Sequence, residues 1–486
     1  MKTTIVKTVL CILCINILSA CSQNTEDPTI TKIKNYLAQS EQKGLSGALL
    51  IAKEGKVLLN EGFGYADKSK KIKNTPTTVF DVGSVSKQFT AAAILKLEEQ
   101  GKLKVEDLIS TYFKDVPKDK QNISIHQLLI HTAGFVHDVG ESDFDQIPTD
   151  EYFKRVMDSK LLFEAGKMHE YTNVGYSILA RIIELVSGQS YEAYLQENLF
   201  KPSGMNYTGY LIPNWSDVNI ANGYTYNVIA KGTSIDKHKN YGGVSWCLKG
   251  NGGIQSTQED MYKWYQALSA NTVLSKASVT KLTTPYVLEY EGETSYYAYG
   301  WAIFNTSRKT KMVAHDGSDG TFFYDFRWFP EEKITVLYAT NALTNNIQEV
   351  AWEVGKMLFD KTYTPRKVEI DILTKLLQYT ENYTGSLDAL GVIIKEKFKK
   401  GLFHPYYLNR MCGMHMRNNQ LEKALVFGRL NVELFPENAN IWDTLGEVYY
   451  KMGDRKKALK YYQKALSLDP QMDTAIAMIA KLKTQK

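Results

Sequence analysis

From Trp442 to Pro470 the chain sets large and small residues at fixed offsets: Trp442, Leu445, Gly446 and Tyr449, then Ala458, Tyr462 and Ala465, with Pro470 as the stop. Helical spacing puts the first four on one face of a helix and the next three on one face of a second, so that bulky side chains of one pack over small residues of the other. Such a pair buries one side only and needs neighbours, which makes stacked helices the architecture of this end. Upstream of "TYTPRK" (362–367) the patterning differs, because strand-like apolar runs recur there. Two architectures in 486 residues require two or more folding units.

The eight offsets are those of a tetratricopeptide (TPR) repeat, which this stretch resembles. One period of about 34 residues earlier, Ala424 and Pro436 stand at equivalent places, so a degenerate earlier copy is expected. A last helix from about Gln471 caps the stack. The reading is a helical linker over 361–400 and an all-α TPR module with its capping helix over 401–486, able to take a protein or peptide ligand. Since about three repeats are needed to stand alone, the module is expected to lean on the preceding domain or on the segment 366–400.

Apolar and charged fractions of 44% and 23% are those of a soluble globular chain. The formal charge is +5, and Lys2 and Lys7 contribute two of the positives from a segment expected to be removed. The remaining charge gives no argument for nucleic acid. Those lysines precede an apolar run, Thr8 to Leu18, that is too short to span a bilayer and reads as a secretory signal over 1–20. "LSAC" (Leu18 to Cys21) resembles the lipobox of bacterial lipoproteins, which implies lipidation of Cys21 and a polar tether over 21–28. The expected location is the cell envelope, lipid-anchored to a membrane and facing the periplasm of a Gram-negative bacterium. Cys11 and Cys14 leave with the signal, and Cys247 and Cys412 fall in different units, so no disulfide framework is expected.

Between residues 29 and 360 two apolar stretches flank a Glu-Gly turn from Ser46 to Asp67, predicting a β-hairpin. After Ser84 comes a helix with Phe89, Ala92, Ala93 and Leu97 on one face, ended by Gly101. A mostly helical middle includes "NVGYSILARIIELVSG", closed by Gly188. Strands return as "YAYGWAIF", "KMVAHDGS", "TFFYDFRWFP" and "ITVLYATN", spaced as an antiparallel meander, and "IQEVAWEVGKMLF" closes the domain. The fold class expected is α+β: an antiparallel sheet flanked by helices, with a helical subdomain.

Three short patterns carry chemistry. Ser84 and Lys87 form a Ser-x-x-Lys, one of four in the chain, but the only one that follows an extended run and opens an apolar-faced helix. Positions i and i+3 share a helix face, so the Lys87 ammonium can reach the Ser84 hydroxyl, and the Ser84 N–H, lacking a helical partner, can help hold an oxyanion. A lysine at its ordinary pKa near 10.4 is a poor base at neutral pH. A fall of roughly three units would leave about a third of it neutral; alternatively the charged lysine stabilises a tyrosinate base. Tyr171 could move a proton to a leaving group, and the Asn173 amide could hold a substrate carbonyl. His315, Asp316 and Gly317 end a strand, where Gly317 would admit substrate backbone and the Ser318 N–H would complete the oxyanion hole. His126, His131 and His137 show no metal-ligand pattern and read as structural or exposed; no metal or cofactor is expected.

Ser-x-x-Lys, Tyr-x-Asn and His-x-Gly, in this order, resemble the serine β-lactamase and penicillin-binding superfamily, in its class C β-lactamase-like branch with D,D-carboxypeptidases, D-aminopeptidases and esterases. The similarity runs over roughly 29–360 and includes "ISIHQLLIHTAGF" and "GNGGIQSTQEDMYKW". It implies Ser84 as acylated nucleophile, Lys87 and Tyr171 as acid/base pair, Asn173 and His315 as orienting groups, and Gly317 and Ser318 beside the substrate. The chain departs from the pattern at Asp316, where a small or hydroxylated residue is common. A carboxylate there opposes an anionic substrate group and favours esters or amides without one, or with an amine. Three readings follow: a serine hydrolase acting on a D-amino-acid peptide, a β-lactam or a small ester; a penicillin-binding-type sensor or pseudoenzyme whose TPR module recruits a partner; or a scaffold.

Overall fold

The computed structural model describes residues 27–140, 142–402 and 404–484. The expected signal segment, Cys21 and most of the tether lie outside the described residues. Among the described residues no helix is long and apolar enough to cross a membrane.

Helix α1 (Pro28–Glu41) starts where the Asp27 carboxylate accepts the Thr29 N–H at 2.8 Å and Pro28 supplies the fixed φ of a first turn. Strands β1 (Gly47–Lys53) and β2 (Lys56–Phe63) form the predicted hairpin, turning at Glu54 and Gly55, both with positive φ. Then come α2 (Ser86–Glu99), α3 (Asn173–Ser187), stopped by Gly188 in the left-handed region, and α4 (Gln258–Ser269). Six strands follow: β3 (Val287–Leu288), β4 (Ser295–Tyr297), β5 (Ala302–Asn305), β6 (Lys311–Ser318), β7 (Phe323–Phe329) and β8 (Ile334–Thr340), and α5 (Val350–Phe359) returns across them. All eight strands make one antiparallel sheet in the order β2-β1-β8-β7-β6-β5-β4-β3, so the first hairpin pairs with the last strand.

The central strands are covered on both faces. In β1, Ala48, Leu50 and Ala52 join a core with α2, α3 and α4, whereas Leu49 and Ile51 join a second core with α1 and α5. That is why β1 and β8 read as near-continuous apolar runs. Each fully buried leucine contributes roughly 1.5–3 kcal/mol.

One predicted strand is corrected. "YAYGWAIF" (297–304) is two strands joined by a tight turn, where Ala298 N–H donates to Trp301 O at 2.7 Å. Gly300 sits in that turn at positive φ, and a Cβ on it would come within 2.8 Å of the Lys87 carbonyl oxygen. The bend therefore lets the sheet edge rest on the helix that carries Lys87.

Beyond residue 371 the described chain is helical: α6 (Ile372–Glu381), α7 (Leu387–Lys397), α8 (Pro405–Arg417), α9 (Leu421–Leu434), α10 (Ala439–Lys451), α11 (Arg455–Leu468) and α12 (Asp473–Thr484). Their shared core includes Leu376 and Ile394 from α6 and α7, and Tyr226, Val228 and Ile229 of the preceding domain pack against it. Arg410 Nε also donates to the Tyr226 hydroxyl at 3.3 Å. The module thus leans on both supports.

Candidate active site

The turn before α2 is held from below and from the side. Asp81, buried, accepts the Gly83 N–H at 2.8 Å through one carboxylate oxygen and the Gln255 amide at 3.1 Å through the other. Gly83 takes φ +51°, and Ser84 lies in the single 3-10 turn Gly83–Val85 that leads into α2. Strand β6 runs against this turn at backbone distance: a Cβ on Gly317 would fall 2.3 Å from Val82 O and 2.4 Å from Ser84 N, and one on Gly83 would fall 2.6 Å from Ser318 N. The close approach that requires Gly317 is therefore to the chain's own Ser84 turn. Asp319 N–H bonds Phe322 O, so the alternation of antiparallel pairing leaves the Ser318 N–H on the free edge of β6, beside Ser84.

Lys87 is fully buried on α2. Its Nζ donates to Ser84 Oγ (3.2 Å), Asn173 Oδ1 (3.0 Å) and the Asn251 carbonyl oxygen (2.8 Å), using all three protons of the ammonium. Burial lowers its pKa to about 7, against the opposing pull of Asp138 and Asp143. Near neutral pH, about half of it is then uncharged. The neutral amine has two N–H groups for Asn173 and Asn251, leaving its lone pair for the Ser84 hydroxyl. Tyr171 lies with its ring 4.6 Å from Lys87 Nζ. Its hydroxyl, on the Ser84 side, is buried with no hydrogen-bond partner, and burial pushes its pKa well up, so it is a neutral phenol.

Tyr171 and Asn173 flank Thr172 at the start of α3. The segment is clamped by His131, wholly buried at φ +56°, whose Nδ1 accepts the Thr172 N–H at 3.2 Å and whose carbonyl accepts the Glu170 N–H at 2.9 Å. The His131 ring stands 4.3 Å from that of Tyr171. Asn173 spends its amide on Lys87 and, through Nδ2, on Asp138 at 3.3 Å. His315 also meets the chain itself: Nδ1 donates to the Asp316 carbonyl at 2.6 Å, and Nε2 therefore accepts the Tyr297 hydroxyl at 3.0 Å. Burial and Lys87 lower its pKa to about 3, so it is neutral. Of the other histidines, His126 bonds the Tyr299 hydroxyl at 2.7 Å and His137, exposed, pairs with Glu170.

Ser84, Tyr171, His315, Asp316, Gly317 and Ser318 all border one cavity of about 350 Å³. Sequence reasoning missed Asp81, Asn251, Tyr297 and the clamp at His131. The phrase "GNGGIQS" was visible, but Asn251 acts on Lys87 through its backbone carbonyl, which has no residue signature. Among the described residues no group of three or more His, Cys, Asp or Glu side chains could hold a metal ion, and Cys247 and Cys412 are both free thiols.

The Beta-lactamase family model matches residues 30–354, and the Tetratricopeptide repeat model matches 439–472. PbpX of Bacillus subtilis is 35% identical over 272 residues, 56% of this chain and 65% of that protein, so the match spans just under two thirds of it. Penicillin-binding protein 4* of the same organism is 30% identical over 315 residues, 62% of this chain and 69% of that one. The octameric penicillin-binding protein homologue from Pyrococcus abyssi superposes with a TM-score of 0.60 at 25% identity, covering 73% of this chain and 82% of that chain. A penicillin-binding protein from Bacillus halodurans gives 0.57 at 26% identity, covering 68% and 98%. Fold, order of patterns and relatives agree: the chain belongs to the beta-lactamase family, among penicillin-binding-protein homologues, and carries a C-terminal tetratricopeptide repeat.

Proposed function

We propose that the chain is a serine hydrolase of the class C β-lactamase, D,D-carboxypeptidase or esterase type, which cleaves an ester or amide through an acyl-enzyme on Ser84 at the cell envelope. The observation that carries this reading is the bond from a buried, partly neutral Lys87 to the Ser84 hydroxyl. Neutral Lys87 takes the Ser84 proton as Oγ bonds to the carbonyl carbon, and the carbonyl electron pair moves to oxygen, facing the N–H groups of Ser84 and Ser318. As the bond to the leaving group breaks, that group takes the Tyr171 proton, and the Lys87 ammonium returns a proton to the phenolate beside it. Water then adds to the acyl carbon, and Ser84 leaves with a proton. His315 and Asn173, with their polar atoms engaged by the protein, act by fixing Tyr171 and Lys87. Residues 29–360 form the hydrolase domain, 361–400 a linker and 401–486 the TPR module, which recruits a protein or peptide. Cys21 carries the lipid anchor.

The test is intact-mass spectrometry of the protein treated with a fluorophosphonate or with a penicillin, beside Ser84→Ala. One adduct, lost in the variant, is expected with the fluorophosphonate. Its absence on folded protein would sink the hydrolase reading, and an adduct with penicillin that is never released would favour the sensor.

A further inference from the structure

The charges in the cavity are unbalanced, and the imbalance lies on one side. Asp316 stands directly opposite Asp325 across β6 and β7. Asp325 is neutralised: its two oxygens take Arg327 Nε at 2.9 Å and Nη2 at 2.6 Å, and that guanidinium lies 3.8 Å from the Trp352 ring. The hydrogen bonds of Arg327 thus go to Asp325, and its charge reaches Asp316 only through space. Glu289, between β3 and β4, is the second carboxylate on this wall. Neither Asp316 nor Glu289 has an ion-pair partner among the described residues, although the chain as a whole is basic at +5. Of the cations near the cavity, Arg327 is shared with Asp325, which leaves the wall with more carboxylates than cations. Lys87 is enclosed by its three acceptors, and His315 is neutral.

A second observation fixes what these carboxylates would meet. The Tyr171 hydroxyl is buried at the cavity it shares with Ser84 and has no hydrogen-bond partner. Asp316, Glu289 and Tyr171 line the same cavity, and the two carboxylates add to the rise that burial causes in the Tyr171 pKa. Whatever departs from Ser84 on that side departs along the acidic wall.

We infer that the departing half of the substrate is cationic: the enzyme cleaves esters or amides whose leaving alcohol or amine carries an ammonium group, which Asp316 and Glu289 hold. This rests on the serine hydrolase reading above. A leaving group ending in a carboxylate meets two unneutralised carboxylates in the same place and is rejected.

The full-length protein is treated with three phosphonothioates that leave the same phosphonyl group on serine and differ only in the departing thiol: thiocholine, its uncharged carbon isostere 3,3-dimethylbutanethiol, and 3-mercaptopropionate. In each, the Ser84 Oγ–P bond forms, the P–S bond breaks, and the thiol leaves with a proton. Labelling rates come from intact mass, each divided by that reagent's own hydrolysis rate in hydroxide. The expected order is cationic, neutral, anionic, with at least tenfold between the first two. Asp316→Asn or Glu289→Gln should lower that ratio, the double variant should bring it near one, and added salt should narrow it. A cationic reagent no faster than its neutral isostere, including no reaction of either, on protein whose Ser84 is labelled by a fluorophosphonate, overturns the inference alone. Failure of the fluorophosphonate itself overturns the hydrolase reading and the inference together.

Discussion

In the helical module Gly446 lies against the ring of Tyr462, in the very next helix; in the beta-lactamase-family domain Gly317 lies against Val82 and Ser84, from the opposite end of the domain's sequence. Both glycines let two elements approach closely. One neighbour is an aromatic ring that can tilt, and the other is backbone held by Asp81 and Gln255. The lysines show the same contrast. Lys457 sits in solvent beside Asp454, its pKa raised by that pairing, while Lys87 is buried among three acceptors with its pKa lowered to about 7. Soft, local contacts build a stack that tolerates change. Rigid contacts between distant segments hold an amine ready to lose its proton.

The sharpest way to break the contrast is at the glycine of β6. In Gly317→Ala the new Cβ would stand 2.3 Å from Val82 O and 2.4 Å from Ser84 N, and neither is the end of a flexible side chain. The turn must move away from β6, taking the Ser84 N–H from the Ser318 N–H. A loss of about 3 kcal/mol in stability of the beta-lactamase-family domain is expected, with Ser84 labelling slowed at least a hundredfold. Calorimetry and timed fluorophosphonate labelling check both. Labelling at the parent rate would show that the two N–H groups need not converge.

The lysines give a smaller, graded effect. Below its lowered pKa of about 7, Lys87 is an ammonium with no lone pair for the Ser84 proton. The labelling rate should therefore fall about tenfold per pH unit below 7 and level off above it. Asp316, raised to about 6 by burial and by Asp325, titrates nearby, so the limb should persist in Asp316→Asn. Lys457→Met should leave the profile untouched. A flat profile from pH 5 to 8 would remove Lys87 as the base.

How legible each region was follows from the same contrast. The repeat could be read because its contacts recur at fixed offsets, and the Beta-lactamase patterns because Ser84 with Lys87, and Tyr171 with Asn173, are close in sequence. The hairpin hidden in "YAYGWAIF" could not, since what bends it is the distant Lys87 backbone behind Gly300. The contact of Gly317 with the Ser84 turn is not legible either, because nothing local reveals that β6 crosses that turn. His131 offered only a histidine before "TAGF"; its clamp on Thr172 depends on a left-handed backbone and a fold-dependent neighbour.

The smallest effect belongs to the soft glycine. In Gly446→Ala the Cβ would lie 3.0–3.1 Å from three ring carbons of Tyr462. Two terms oppose each other. Replacing glycine inside α10 gains up to about 1 kcal/mol of helix propensity, and crowding a packed ring costs about 1–3 kcal/mol. Because the Tyr462 ring is almost fully buried, it can tilt only against its neighbours, and crowding should win by about 1 kcal/mol. The helical module should melt slightly lower while Ser84 labels within twofold of the parent rate. In a Tyr462→Leu background the ring is gone and only propensity remains, so the same Gly446→Ala change should become stabilising. If it stays destabilising there, the tightness at Gly446 comes from the backbones of α10 and α11 themselves, and the stack is as rigid as the Ser84 turn.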